Sequence, residues 1–140
     1  MEIILAENHG FCYGVKRAVE MANEAADSDG KSYTLGPIIH NPQVVGRLES
    51  KGVSPIQEVA DIDEGTMIIR SHGVGPAIYE EAEEKGLNIL DATCPHVKKA
   101  QQDAKSVIED GMTLVILGEK NHPEVKSINL WANNKGIIIE

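Results

Sequence analysis

The chain has 140 residues, 41 % of them hydrophobic, which is about one domain with enough apolar content for a core and argues against disorder. A formal net charge of −9 and an aromatic content of 4 % argue against a phosphate-backbone binder and against a base-stacking platform. Two cysteines are no disulfide scaffold, Met1 to Glu7 has no signal-peptide pattern, and no apolar run nears the ~20 residues of a membrane span. The expected compartment is the cytoplasm, where thiols stay reduced, with neither nucleic acid nor membrane as a partner.

In chain order, Ile3-Ile4-Leu5 reads as a short buried strand. Asn8 to Gly14 follows as a Gly-bounded loop holding Cys12. Val15, Ala18, Val19, Ala22 and Ala26 recur at helical spacing, which predicts a helix from about Gly14 to Asp27, ended by Asp29-Gly30. Cys12 then stands just before a helix N-terminus, where partial positive charge favours a thiolate. Tyr33 to Leu35 and Ile38-Ile39 form the next apolar stretch and end at His40-Asn41-Pro42. Asn41 suits an N-cap and Pro42 a first helical position. Gly52 stops that helix, and Val53 to Ile56 reads as a short strand.

Thr66 to Ile69 is a buried strand running into Arg70-Ser71-His72-Gly73-Val74-Gly75-Pro76, and Pro76 opens another helix. Leu87 to Leu90 leads into Asp91-Ala92-Thr93-Cys94-Pro95, and Val97, Ala100, Ala104, Val107 and Ile108 mark the helix after it. Met112 to Leu117 reads as a buried strand that ends at Gly118 through His122-Pro123-Glu124. A helix from Pro123 to about Ala132, a turn at Asn133-Asn134 and a strand from Ile137 complete the order. Repeated strand–loop–helix units predict an α/β fold with mainly parallel sheets. Ligands of such sheets bind outside the carboxyl ends of the strands, and Cys12, His40, His72, Cys94 and His122 all fall on that expected edge. Pro42, Pro76, Pro95 and Pro123 each open a helix nearby, so several helix N-termini should face one region and favour an anion. His9 and His96 read as structural or solvent-facing, Met21, Met67 and Met112 as core fillers, and Trp131 as a packing residue.

Two Cys plus His admit a zinc site, but structural zinc uses short Cys-x-x-Cys pairs, and none occurs. Cysteines on separate strand ends suit an iron–sulfur cluster better. A nucleophilic Cys–His pair is the other chemical option, although no hydrolase signature surrounds either cysteine.

Gly10-Phe11-Cys12-Tyr13-Gly14-Val15, His40-Asn41-Pro42, Ser71-His72-Gly73-Val74, Asp91-Ala92-Thr93-Cys94-Pro95 and Gly118 through Val125 stand in order. Together they closely resemble the 4-hydroxy-3-methylbut-2-enyl diphosphate reductase family of the non-mevalonate isoprenoid pathway, from Ile3 to Ile139. The resemblance implies a three-lobed (trefoil) α/β enzyme around a 4Fe–4S cluster held by three cysteines, with one iron left open. It makes Cys12 and Cys94 cluster ligands. It places His40, His72 and His122 on the substrate diphosphate and Glu124 as the acid that supplies protons. It implies isopentenyl and dimethylallyl diphosphate as products and a ferredoxin- or flavodoxin-like electron donor. In the family the third thiolate ligand comes from a later part of a chain about twice this length. This sequence therefore reads as an N-terminal piece: residues 1–94 as a first lobe with the N-terminal cluster loop, 95–140 as an incomplete second lobe. The alternative is a non-catalytic α/β module that binds an anion or a metal, with two copies pooling their cysteines across a dimer.

Overall fold

A computed structural model describes residues 1–7, 9–28 and 30–140 of the chain. Asn8, at the head of the expected cysteine loop, and Asp29, expected to end the first helix, lie outside the described residues.

Helix α1, Tyr13–Ala26, follows the predicted apolar stripe. Its small residues Ala18 and Ala22 are fully buried and let the helix lie close on the sheet. Four short strands then alternate with helices: β1 Ser32–Leu35, α2 Pro42–Ser50, β2 Val53–Ile56, β3 Thr66–Ile69, α3 Pro76–Glu84 and β4 Asn88–Asp91. The strands form one parallel sheet in the order β2-β1-β3-β4. Period-two alternation along β3 splits the core in two. Ile68 packs in a cluster with Ala18, Ala22, Ile39 and Leu48, while Met67 and Ile69 pack in another with Ile62, Val74, Ala82 and Leu87. Apolar residues on both faces of a short strand are what a covered parallel sheet requires.

Helix α4, Pro95–Glu109, leaves this sheet and packs chiefly on α5, Pro123–Trp131. Strands β5 Val115–Leu117 and β6 Ile137–Ile139 form a separate parallel pair. Asn133 and Asn134 make the turn before β6 with φ of 53° and 58°, in the left-handed region that Asn tolerates. As expected, Pro42, Pro76, Pro95 and Pro123 each occupy the first helical position of α2, α3, α4 and α5.

Three expectations need correction. Ile3, Ile4 and Leu5 form no strand; they are 76 %, 83 % and 76 % exposed, because no described strand runs beside them to pair their backbone. The predicted strand from Met112 to Leu117 shortens to β5 and is not buried. It has one neighbour, β6, and only its Ile116 face is partly covered, leaving Met112 at 55 % and Leu117 at 78 % exposed. Met112 is therefore no core filler, whereas Met67 is fully buried. The cysteine and histidine positions also do not share one sheet edge. His40, His72 and Cys94 follow the four-stranded sheet, His122 follows β5, and Cys12 follows the non-strand N-terminal segment.

Candidate functional site

In the order β2-β1-β3-β4 the strand order reverses between the parallel neighbours β1 and β3, and loops after those two strands flank the crevice where open α/β sheets bind ligands. His40 lies in the segment after β1 and His72 in the loop after β3. Their ring centroids are 4.4 Å apart. His122, at the N-cap of α5, completes a trio, with centroids 6.0 Å from His40 and 5.7 Å from His72. One side-chain nitrogen from each of the three falls within 4.8 Å of the others. Neither cysteine nor Glu124 belongs to this group.

The chemistry of the trio favours an anion. Nδ1 of His122 accepts the Glu124 backbone N–H at 3.2 Å. That bond needs a lone pair on Nδ1, so the neutral ring carries its proton on Nε2 and presents a donor. A metal ion would need the opposite tautomer and would break the cap. Burial, then the positive fields of His40, Arg70 and His122, push the His72 imidazole down from 6.5 to about 4. Its Nδ1 is buried with no hydrogen-bond partner among the described residues. Three donor-capable rings with an unmet hydrogen bond fit phosphate oxygens, which supply acceptors and negative charge together.

The sign of the His72 shift gives a test. The unfolded chain takes up this proton near pH 6.5 and the folded chain only near 4. The stability contributed by a neutral His72 is thus complete above about 6.5 and is lost as pH falls to 4. Histidine NMR of the free chain should find His72 titrating at about 4, with a midpoint that rises when inorganic diphosphate is bound.

The cysteines occupy matching places. Cys12 is the N-cap of α1 and Cys94 the N-cap of α4, and neither side chain caps its own helix. Both thiols are thereby free, Cys12 exposed and Cys94 half-buried, each at a helix N-terminus. The Cys94 sulfur rests directly on Gly14 in the first turn of α1: a Cβ built there would fall well inside van der Waals contact distance of it. That cradle brings Cys94 onto the helix that Cys12 begins. A cavity of about 240 Å³ joins this region to the histidines, lined by Phe11 and Val15 on either side of Cys12 and by His40, Ser71 and His72. Two free sulfurs at helix starts, beside the cavity that holds His40 and His72, fit an iron–sulfur cluster as far as two ligands can. Glu124 stands in the first turn of α5, half-buried, two residues from His122.

Against this geometry, the family model described as LytB protein matches residues 3–140. The chain belongs to the LytB protein family. A 4-hydroxy-3-methylbut-2-enyl diphosphate reductase of Geotalea uraniireducens is 52 % identical over 139 residues, 99 % of this chain and 49 % of that relative. The corresponding reductase of Geobacter sulfurreducens is 54 % identical over 132 residues, 94 % of this chain and 47 % of the relative. A solved structure of (E)-4-hydroxy-3-methyl-but-2-enyl diphosphate reductase, the terminal enzyme of the non-mevalonate pathway, superposes with a TM-score of 0.85 at 50 % identity, over 99 % of this chain and 50 % of that one. A Plasmodium falciparum E-1-hydroxy-2-methyl-but-2-enyl-4-diphosphate reductase gives 0.91 at 33 % identity, over 96 % and 43 %. The chain spans about half the length of the curated relatives it matches. No helix among the described residues is long and apolar enough to cross a membrane.

In this LytB-family chain the histidine and cysteine loops are tied together by residues that no motif marks. Cys94 N–H donates to Ser71 C=O at 2.9 Å, and Ser71 Oγ donates to Ile38 C=O at 3.2 Å, so one residue links the Cys94, His72 and His40 segments. Ser127 Oγ is shared: it lies 2.8 Å from His72 C=O and 3.2 Å from the Gln101 Nε2 donor, joining α5 and α4 to the His72 loop. Arg17 of α1 donates to the carbonyls of Thr93 at 3.2 Å and Asp91 at 3.4 Å, pinning the turn that carries Cys94. Asp91 holds that turn from within, its Oδ1 accepting Thr93 N–H at 3.0 Å and its Oδ2 accepting from Lys98 and from Tyr79. Burial pushes the Asp91 carboxyl up, but hydrogen bonds from Lys98 and Thr93 and the Lys98 charge outweigh it and hold Asp91 below its usual range. A buried Gln or Ser inside an apolar helix stripe is the only signal in the sequence for such partners, and it does not say what they join.

Proposed function

We propose that the chain supplies the diphosphate-holding edge and two of the three cluster thiolates of a 4-hydroxy-3-methylbut-2-enyl diphosphate reductase. Residues 1–94 form a first lobe and 95–140 the opening of a second. The observation that carries this reading is the meeting of His40, His72 and His122, from three separate loops, within 4.8 Å of one another. The cavity that holds two of them runs to the residues flanking Cys12. The LytB kinship makes the diphosphate the natural guest of that trio.

His40, His72 and His122 bind and orient the diphosphate, with Nε2–H of His122 as a fixed donor. The N-termini of α2 and α5, which begin beside His40 and His122, add backbone dipoles. Cys12 and Cys94, each at the start of a helix, would hold the 4Fe–4S cluster. When bound, that cluster supplies a Lewis-acidic iron for the substrate hydroxyl and passes on electrons. Loss of the hydroxyl consumes an electron pair and two protons and releases water; Glu124 holds a proton for the leaving oxygen. The electrons come from a ferredoxin- or flavodoxin-like donor in the cytoplasm, and the products are isopentenyl and dimethylallyl diphosphate.

The test is a hybrid polypeptide in which residues 3–140 of this chain replace the matching half of the Geotalea uraniireducens relative. After anaerobic reconstitution with iron and sulfide it should reduce 4-hydroxy-3-methylbut-2-enyl diphosphate, while this chain alone should bind that substrate without turning it over. A hybrid that folds and loads iron but leaves the substrate unreduced would overturn the reading.

A further inference from the structure

A separate cavity of about 320 Å³ is lined by Leu35, Arg70, Val74, Ile78, Lys126 and Leu130, among others. None of the residues lining the cavity of His40 and His72 lines this one. No Asp or Glu lines it either, although the chain carries a net charge of −9. Neither Arg70 nor Lys126 forms an ion pair among the described residues. The Arg70 guanidinium is seated over Gly36, where a Cβ would come within 2.7 Å of Nη1. Its Nε is buried with no hydrogen-bond partner among the described residues. Charged donors are seldom left unmet inside a protein, because burying one without an acceptor forfeits its hydration.

The rest of the lining is of another character. Leu35, Val74, Ile78 and Leu130 supply an apolar wall. A seated guanidinium and an exposed ammonium beside an apolar wall select an anion on a small hydrocarbon body. The volume sits at the lower end of the ~300–1,000 Å³ found for small-molecule sites.

We propose that this cavity is a second anion site, distinct from the histidine trio. It takes a small phosphate monoester or carboxylate with a short apolar chain, the anion between Arg70 and Lys126 and the chain against Ile78 and Leu130. The assignment stands on these residues and does not depend on the reductase reading.

The test uses 3-methylbutyl phosphate and inorganic phosphate, each titrated into the methyl-labelled chain and followed by NMR. The ester should shift the methyls of Leu35, Val74, Ile78 and Leu130 and bind at least several-fold tighter than inorganic phosphate. Arg70→Met, which keeps the stem over Gly36, and Lys126→Met, at an exposed position, should each weaken that binding about tenfold, the usual worth of one charge-assisted bond. His40→Ala should leave those shifts in place. Shifts confined to Ile39 and Val45 beside His40, or titrations unchanged in both charge variants, would overturn the proposal. Equal affinity for the two phosphates would overturn its apolar half.

Discussion

Gly14→Ala in the hybrid polypeptide is expected to lower its iron content by about tenfold or more, the usual effect of disturbing a residue that orients a metal ligand. Gly14 is the second residue of α1 and has no left-handed φ, so its backbone does not require glycine. Alanine is the better helix former by roughly 1 kcal/mol, and the thermal midpoint should hold or rise. What the position lacks is room. The Cys94 sulfur occupies the place of the missing Cβ, and the Cys94 Cβ lies 3.0 Å from it. A side chain of one methyl can be accommodated only if Cys94 turns about χ1, which carries the thiol away from α1 and from Cys12. Iron analysis and the alkylation rate of Cys94 in the apo-protein read this out apart from activity. Full iron loading in a folded Gly14→Ala hybrid would remove Gly14 from the account.

The second large effect is at His122, which does two jobs at once. Its Nδ1 caps α5, and its Nε2 carries the proton in a ring whose centroid is 6.0 Å from that of His40 and 5.7 Å from that of His72. Asparagine is a strong N-cap residue but is too short to offer the same donor. His122→Asn should therefore keep the stability of the chain while its affinity for inorganic diphosphate falls about 10- to 100-fold, the worth of one hydrogen bond to a charged group. His122→Ala should lose the same affinity and also about 1 kcal/mol of stability with the cap. Calorimetric titration, paired with denaturant unfolding, separates the two jobs. Undiminished affinity in His122→Asn would mean that the diphosphate sits elsewhere.

Much of this architecture can be read from residue order, for local reasons. Proline at a first helical position and Asn41 before it mark helix starts whatever surrounds them. A continuous apolar run, as at Thr66–Ile69, reports a strand covered on both faces, and β3 is where it was expected. The histidines and cysteines were legible because each ends an apolar run. What could not be read is what depends on neighbours. Ile3-Ile4-Leu5 has the composition of a buried strand, but burial needs a partner that composition does not supply. Met112 and Leu117 stand exposed on the two-stranded sheet for the same reason. Ser71, Gln101 and Ser127 are ordinary residues in sequence and become structural only when three loops converge on them. Arg70 lies in the loop that carries His72, yet its lack of an ion pair among the described residues is a property of space.

The reading of Cys12 and Cys94 as two of three cluster ligands is open to one direct measurement: iron per chain, with the charge-transfer absorption of the cluster, in the anaerobically reconstituted hybrid and in its Cys12→Ser and Cys94→Ser forms. The expected result is about four irons per hybrid chain, as a 4Fe–4S centre requires, with loading and absorption collapsing in either variant while the fold is kept. A hybrid that holds its full cluster without Cys94, or without Cys12, would contradict the account.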